Sequence, residues 1–451
     1  MTTGGIENEP VAVLNNPDRP ETTGRFIVIF RDEDYSNVKR VKKILRDLGG
    51  LQNLAVSTDF ATSEMELESL EEDHAIHFPR LGVALLQGGE AITSLAAAAS
   101  DAGSPILAVE PEYIAYPSTF LGRSTSAYIE GYRDAVNYLA DHILPRDLGL
   151  AGYTSSQISV PQSFQDTNQY TWGLQATRAN QSSYSGSNVR VAVLDTGFDF
   201  NHPDFQNRAI HSKSFTPGIS ADDIHGHGTH CAGTACGPLS PASGVMRYGI
   251  SYNSEIYIGK VFNNDPKPQA PTARVIEGID WAIGNGCQIV SMSLGVPINA
   301  PIIQYRVPIR RALQQGTLVI AAAGNNAQRP LDNGFVEPPA NSEAAMAIGA
   351  LDRQLRIASF SARSSQLVSV GGKVDLSAPG VDVFSSIPQH LGLHGFKNGT
   401  SMATPHVAGI AALWQEATGD TGAALWSRLL QNTRPLASPA IDVGAGLVQA
   451  P

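Results

Sequence analysis

Six short runs set the strongest limit on how this chain can fold: Val189-Arg-Val-Ala-Val-Leu194, Ile256-Tyr-Ile258, Ile289-Val-Ser-Met292, Leu318-Val-Ile-Ala-Ala322, Ala347-Ile-Gly-Ala350 and Val374-Asp-Leu376. Each is too short to be a buried helix, and several are apolar at nearly every position. A strand of that kind must be covered on both faces, as in a parallel sheet held between helices. Helical spacing supplies the covering layers: Val275, Ile276, Ile279 and Ile283 recur along Ala273 to Gly284. From Trp172 onward the alternation predicts an α/β fold, a doubly wound and mainly parallel sheet with its site at the strand ends.

A chain of 451 residues is long enough for two domains. Residues 1–23 are polar and proline-containing and read as disordered. Phe26-Ile-Val-Ile-Phe30 then reads as a strand. Val38, Val41, Ile44, Leu45 and Leu48 recur at helical spacing before Gly49-Gly50, with Lys39, Arg40, Lys42, Lys43 and Arg46 as the solvated face. The acidic stretch Glu64 to Asp73 has no clear pattern but leaves room for a strand. Val83 to Leu86 and Ile106 to Val109 read as strands on either side of an alanine-rich helix, Glu90 to Ser100. These elements make a small α+β unit over residues 24–117. In 118–165, Tyr128, Ile129, Tyr132, Val136, Leu139 and Ile143 share one helical face that Pro145 stops, and a polar linker follows. Residues 166–451 carry the α/β domain.

Composition removes some functions. A net charge of -11 is the wrong sign for a phosphate backbone, so no nucleic-acid partner is expected. No run approaches the roughly 18 apolar residues of a membrane span. The first ten residues have neither a basic nor an apolar signal region, which predicts a cytoplasmic protein if that start is native. The alternative is a secreted protein whose signal has been removed. Three cysteines offer no disulfide framework.

Chemistry concentrates in three stretches. Asn398-Gly-Thr-Ser401-Met-Ala-Thr-Pro405-His-Val-Ala-Gly409 leads into an apolar helix, with Pro405 expected in its first turn and Ser401 at its N-terminus. A serine needs a base and an orienting carboxylate to become a nucleophile. Asp195 directly follows the strand Val189 to Leu194. His227 stands in Asp223-Ile-His-Gly-His227-Gly-Thr-His230-Cys-Ala-Gly-Thr234, whose small residues allow close helix packing. No glutamate lies between the histidines as zinc proteases require, so His225 and His230 read as structural. Cys231, four residues after His227, shares its side of a helix.

Together these stretches resemble the subtilisin-like serine proteases over more than half the chain, including the chain order Asp, His, Ser. The resemblance implies a serine endopeptidase acting on protein or peptide substrates, with Asp195, His227 and Ser401 as triad. It assigns oxyanion donation to Asn325, in Ala321-Ala-Ala-Gly-Asn325, and to the Ser401 backbone N–H. Ser293, Leu294 and Gly295, with Ala322, Ala323 and Gly324, correspond to the substrate pocket. Those walls carry no charge, so large apolar P1 residues are expected. Val443 to Val448 is similar to the end of such a catalytic domain, so no further C-terminal domain is expected.

No cofactor is implied for the chemistry. The family's calcium loop falls near Gly237 to Gly244, which has no carboxylate or asparagine; Asp204 matches one ligand and is the candidate for structural calcium. Pro266 and Pro268 replace a glycine-rich segment, which puts substrate pairing on that side of the cleft in doubt. The unit at 24–117 resembles the family's inhibitor-like, ferredoxin-like prodomain, an intramolecular inhibitor with Glu110 to Tyr116 as its tail in the active site. Pro117 disfavours cleavage after Tyr116, so processing is expected between Pro145 and Gln169. A protein keeping the fold without the chemistry is disfavoured by so complete a set of residues. An acyl-transferring ligase would use the same residues and stays open.

Overall fold

The computed structural model describes residues 20–32, 35–60, 74–118, 163–365 and 372–451. The first unit runs β1 (Thr22–Phe30), α1 (Val38–Gly49), β2 (Asn53–Val56), β3 (His74–Phe78), β4 (Val83–Leu86), α2 (Glu90–Ala99) and β5 (Ile106–Pro117). Asn37 caps α1 by accepting the Arg40 N–H, and Gly50, left-handed at φ 70, ends it. Across the sheet the strands lie β5-β1-β4-β3-β2, the ferredoxin-like order with β2 added at one edge. Val28 and Phe30 face α1 and α2 through Val41, Leu45 and Leu95.

Two details differ from expectation. Thr22 and Thr23, read as part of a disordered segment, already belong to β1. The additional strand is β3, just past the acidic stretch, and β2 was not anticipated; both are only a few residues long. Residues 1–19 and the helix expected near 128–143 lie outside the described residues.

The second unit contains β6 (Arg190–Asp195), β7 (Ile210–Ser214), α3 (His227–Cys236), β8 (Glu255–Lys260), β9 (Ala270–Pro271), α4 (Thr272–Gly284), β10 (Ile289–Met292), β11 (Leu294–Gly295), α5 (Ile303–Gln314), β12 (Leu318–Ala322), β13 (Ala345–Leu351) and β14 (Leu376–Pro379). It closes with β15 (Val383–Ser386), β16 (His394–Lys397), α6 (Thr400–Thr418), α7 (Gly422–Gln431), β17 (Thr433–Arg434) and β18 (Leu447–Val448). Its nine-stranded sheet has the order β17-β18-β14-β13-β12-β10-β6-β8-β7 and is parallel apart from the β17–β18 pair. The near-continuous apolar strands follow from coverage on both sides. Val191 and Val193 join the core of α3 and α6, while Ala192 and Leu194 join that of α4 and α5. Strand order reverses at β6, so the carboxyl ends of β6 and β10 open the crevice where α/β sites form. β14 begins at Leu376, two residues later than the run Val374 to Leu376 predicts.

Ile27, Ile29, Phe78, Val83 and Leu85 of the first sheet share one core with Val275, Ile276 and Ile279 of α4 and Tyr305 and Ile309 of α5. From that contact β5 runs into the crevice between β11 and β9. Tyr116 pairs with Gly295, Ala115 with Ala270 and Ile114 with Pro271, all antiparallel. Pro266 and Pro268 take no part in this ladder, which on that side involves Ala270 and Pro271 just beyond them.

Candidate active site

Ser401 is the second residue of α6 and fully buried. Its Oγ donates to Ser118 O at 2.5 Å and lies 3.2 Å from Ser293 O. Asn325 is held by its own carbonyl: Oδ1 accepts Thr400 N–H at 2.9 Å and Thr400 Oγ at 3.0 Å. That leaves Nδ2 to donate to the same Ser118 O. Gly399, at φ 151, allows this approach, because a Cβ there would sit 2.9 Å from Ser118 O. Pro405 lies one turn deeper in α6 than expected. A proline at that depth deprives the Ser401 carbonyl of its helical donor. Ser293 Oγ, 2.9 Å away, and Cys231 Sγ, at 3.5 Å, donate to that carbonyl instead.

His227 opens α3, and its Nδ1 donates to Asp195 Oδ1 at 2.6 Å. Gly228 makes this closeness possible: a Cβ on it would lie 2.2 Å from Gly197 O in the turn after Asp195. His227 Nε2 is buried without a partner among the described residues, and Ser401 Oγ makes no hydrogen bond to it. Asp223, which sequence reasoning passed over, fixes this end of α3. It accepts the His225, Gly226 and Thr229 N–H groups, each at 2.9 Å, and Thr196 Oγ as well. His230 is buried, with Nε2 against Val383 O at 2.9 Å, in the structural role expected. Cys231 Sγ lies 4.0 Å from His227 Nδ1, and burial, then Asp195, pushes the thiol well above its ordinary range. Its setting favours the neutral thiol over a nucleophilic thiolate.

An aspartate and a histidine thus pair where β6 ends and α3 begins, and a carbonyl is seated between the serine that opens α6 and an asparagine amide. Residues 186–446 match the Subtilase family. The chain belongs to this family. It is 37% identical over 283 residues to Subtilisin Savinase of Lederbergia lenta, covering 62% of this chain and 96% of that protein. It is 36% identical over 241 residues to Subtilisin DY of Bacillus licheniformis, covering 53% of this chain and 81% of the relative. Among solved structures it resembles an S41 psychrophilic protease at 30% identity and a TM-score of 0.54, covering 63% of this chain and 99% of that one. This subtilase is a serine endopeptidase that acts on protein substrates. Family membership implies no cofactor for the chemistry.

In the subtilase the segments assigned to the pocket by resemblance lie beside the seated tail. Ser293 O accepts the Ser118 N–H at 3.1 Å, and Leu294 and Gly295 pair with Pro117 and Tyr116. Ala322 ends β12, and Ala323 and Gly324 lead directly to Asn325. The walls are not free of charge, however. Glu337 lies against both Gly295 and Gly324, its Oε2 2.2 Å from where a Gly295 Cβ would be. The expectation of an apolar P1 rested on those walls being uncharged, and that basis is gone. No signal in the sequence near Glu337 tied it to this pocket.

Asp204 does not fit calcium. Ser243, within the segment expected to be the calcium loop, donates its N–H to Asp204 Oδ1 at 2.8 Å. Tyr248 Oη and His394 Nε2 each donate to Oδ2, also at 2.8 Å. His202 completes the cluster, but its ring nitrogens are engaged by the Asp204 N–H and Leu393 O. Calcium takes six to eight oxygens, whereas hydrogen-bond donors surround this carboxylate. Burial alone would raise the Asp204 pKa; the bonds from His394, Ser243 and Tyr248 outweigh it and hold the group well below its usual range. The loop is closed by hydrogen bonds where the family resemblance suggested an ion. His394→Ala should lower the melting temperature by about 3–8 °C, from the roughly 1.5–3 kcal/mol of a buried charged hydrogen bond. Added calcium should not restore it; full recovery by calcium in differential scanning calorimetry would contradict this reading.

Proposed function

We propose that this subtilase is a self-inhibited precursor whose residues 20–118 occupy its own active site, and that its first cut falls between Ser118 and Thr119. The observation that carries the reading is Ser118 O, which accepts hydrogen bonds from both Ser401 Oγ and Asn325 Nδ2. Ser118 is then P1, Pro117 P2 and Tyr116 P3. This lies upstream of the stretch where processing was expected from sequence, and it still spares the bond between Tyr116 and Pro117.

The chemistry follows from the roles of the side chains. Ser401 Oγ turns from Ser118 and Ser293 toward His227 Nε2, gives up its proton and attacks the Ser118 carbonyl carbon. Asn325 Nδ2 and the Ser401 backbone N–H stabilise the resulting oxyanion at the positive end of α6. His227 then protonates the leaving amine, and Asp195 holds the imidazole tautomer and stabilises its charged form. Water resolves the acyl-enzyme and releases the tail.

Sequencing the products after incubation of the purified chain tests the proposal. The large fragment should begin at Thr119, with later trimming permitted only downstream. A first product that begins elsewhere and leaves the bond after Ser118 intact would contradict the assignment.

A further inference from the structure

The pocket holds a carboxylate that the triad chemistry does not use. Ser118 is clamped between the two walls: Ser293 binds its N–H, and Asn325, next to Gly324, binds its carbonyl. Glu337 reaches into the same place. A Cβ on Gly295 would meet its Oε2 at 2.2 Å, and one on Gly324 would meet its Cδ at 3.1 Å. The carboxylate thus covers the side-chain face of both wall glycines, a position open only because neither carries a side chain.

The support for this carboxylate is one-sided. Asn326 Nδ2 donates to Oε1 at 2.9 Å and is itself fixed by the Phe335 backbone on both amide atoms. The Glu337 main chain, by contrast, is fixed at both ends, its N–H donating to Ala323 O and its carbonyl accepting the Asn341 N–H. No basic side chain among the described residues forms an ion pair with Glu337, and no charged group shifts its titration. Burial without a counter-cation raises its pKa to about 7 against the Asn326 hydrogen bond. The tail's own P1 residue does not satisfy it either, since Ser118 Oγ is buried with no partner.

We propose that Glu337 is a specificity-determining residue that selects lysine or arginine at P1, the substrate cation supplying the counter-charge this carboxylate lacks. The proposal rests on the cleft assignment above. A basic side chain has an apolar stem to lie between the glycine walls and a charged head to reach past them. An ammonium or guanidinium bonded to a carboxylate away from water makes a strong, directional contact. Phenylalanine or leucine would instead press an apolar surface against a carboxyl group and leave it unsatisfied. Serine at position 118 is then a poor P1, which suits a tail that is to be held and cut slowly.

The sign of the pH dependence follows. With the cleft occupied, burial favours the protonated form of Glu337, which offers a P1 side chain only a neutral hydrogen bond; a basic P1 gains the ion pair only as the carboxylate ionises, so its advantage grows with pH. A free-enzyme group that serves every substrate alike cancels in a ratio of kcat/KM values.

The test uses Ala-Tyr-Pro-Xaa chromogenic peptides, in which only P1 varies among Lys, Phe and Ala, assayed with the processed enzyme at pH 6 and 8.5. The Lys/Phe ratio of kcat/KM should exceed one at pH 8.5 and be lower at pH 6, as Glu337 takes up its proton. Glu337→Gln should flatten that pH dependence, and Glu337→Asp should keep part of it. An equal Lys/Phe ratio in wild type and Glu337→Gln would overturn the proposal. So would a preference for Ala over both, which would mean that Glu337 merely shortens the pocket. No cleavage of any peptide, together with no fluorophosphonate labelling of Ser401, would instead overturn the cleft assignment itself.

Discussion

Replacing Ser401 with alanine should leave the chain uncut and turnover of any peptide reduced by about a million-fold, the loss known for the same change in subtilisin and so borrowed from a relative. The size of the effect follows from the arrangement. Asp195 and His227 form a bonded pair at 2.6 Å whose only use is to move one proton, and Ser401 Oγ is the group at the seated carbonyl that can supply it. Without that oxygen, the base has no nucleophile to activate. The fold should be indifferent. Ser118 O keeps its bond from Asn325 Nδ2, and Ser293 O keeps the Ser118 N–H, so neither acceptor is orphaned. Intact-mass analysis should therefore find the full-length variant unchanged over days, with a melting temperature within about 2 °C of wild-type precursor held uncut by inhibitor. Processing of Ser401→Ala at the wild-type rate would remove Ser401 as the nucleophile.

The legible parts of this protein are those whose physics is local. Asp195 ends an apolar strand, His227 opens a helix of small residues, and Ser401 opens another; each was found because its few neighbours in sequence determine its setting. The parallel sheet was legible because strands buried on both faces must be apolar throughout. What escaped depends on partners far along the chain. Asp204 resembles a cation ligand in its local sequence, but its partners Tyr248 and His394 lie 44 and 190 residues further along. Glu337 lies in an irregular loop and acquires its meaning from Gly295, on a strand of different sequence origin. Strands β2 and β3 are too short for periodicity to declare them, and they form because β4 offers an edge to β3 and β3 to β2.

The separated unit of residues 20–118 should inhibit the processed enzyme, and residues 163–451 alone should refold far more slowly than the whole chain. Arg311 of α5 is a fully buried guanidinium whose hydrogen bonds among the described residues all go to the first unit. It donates to Phe30 O and Leu81 O at 2.6 Å, and to Gly82 O and Asp32 at 3.0 Å. Gly82 must remain glycine for this, as a Cβ would lie 2.1 Å from the guanidinium. Two carboxylates on β5 close the N-termini of two helices of the second unit. Glu110 accepts the Ile303 and Gln304 N–H groups at the start of α5, and Glu112 accepts the Ala273 N–H at the start of α4. Each such cap contributes about 0.5–2 kcal/mol, so α4 and α5 are better formed on this surface than alone. The parallel sheet they cover is rich in distant contacts and slow to assemble, which is where a preformed surface helps most. The tail then adds as a strand between β11 and β9, which is recognition by strand addition. Arg311→Ala should weaken inhibition by the fragment by about 30-fold or more, from the roughly 2–5 kcal/mol lost when a buried hydrogen-bonded charge is truncated. Glu110→Gln with Glu112→Gln should slow assisted refolding more than either change alone. The measurements are peptide hydrolysis titrated with the fragment, and recovery of activity after dilution from denaturant with and without it. No inhibition at micromolar fragment, together with normal refolding of residues 163–451 alone, would leave the first unit a passenger on the enzyme.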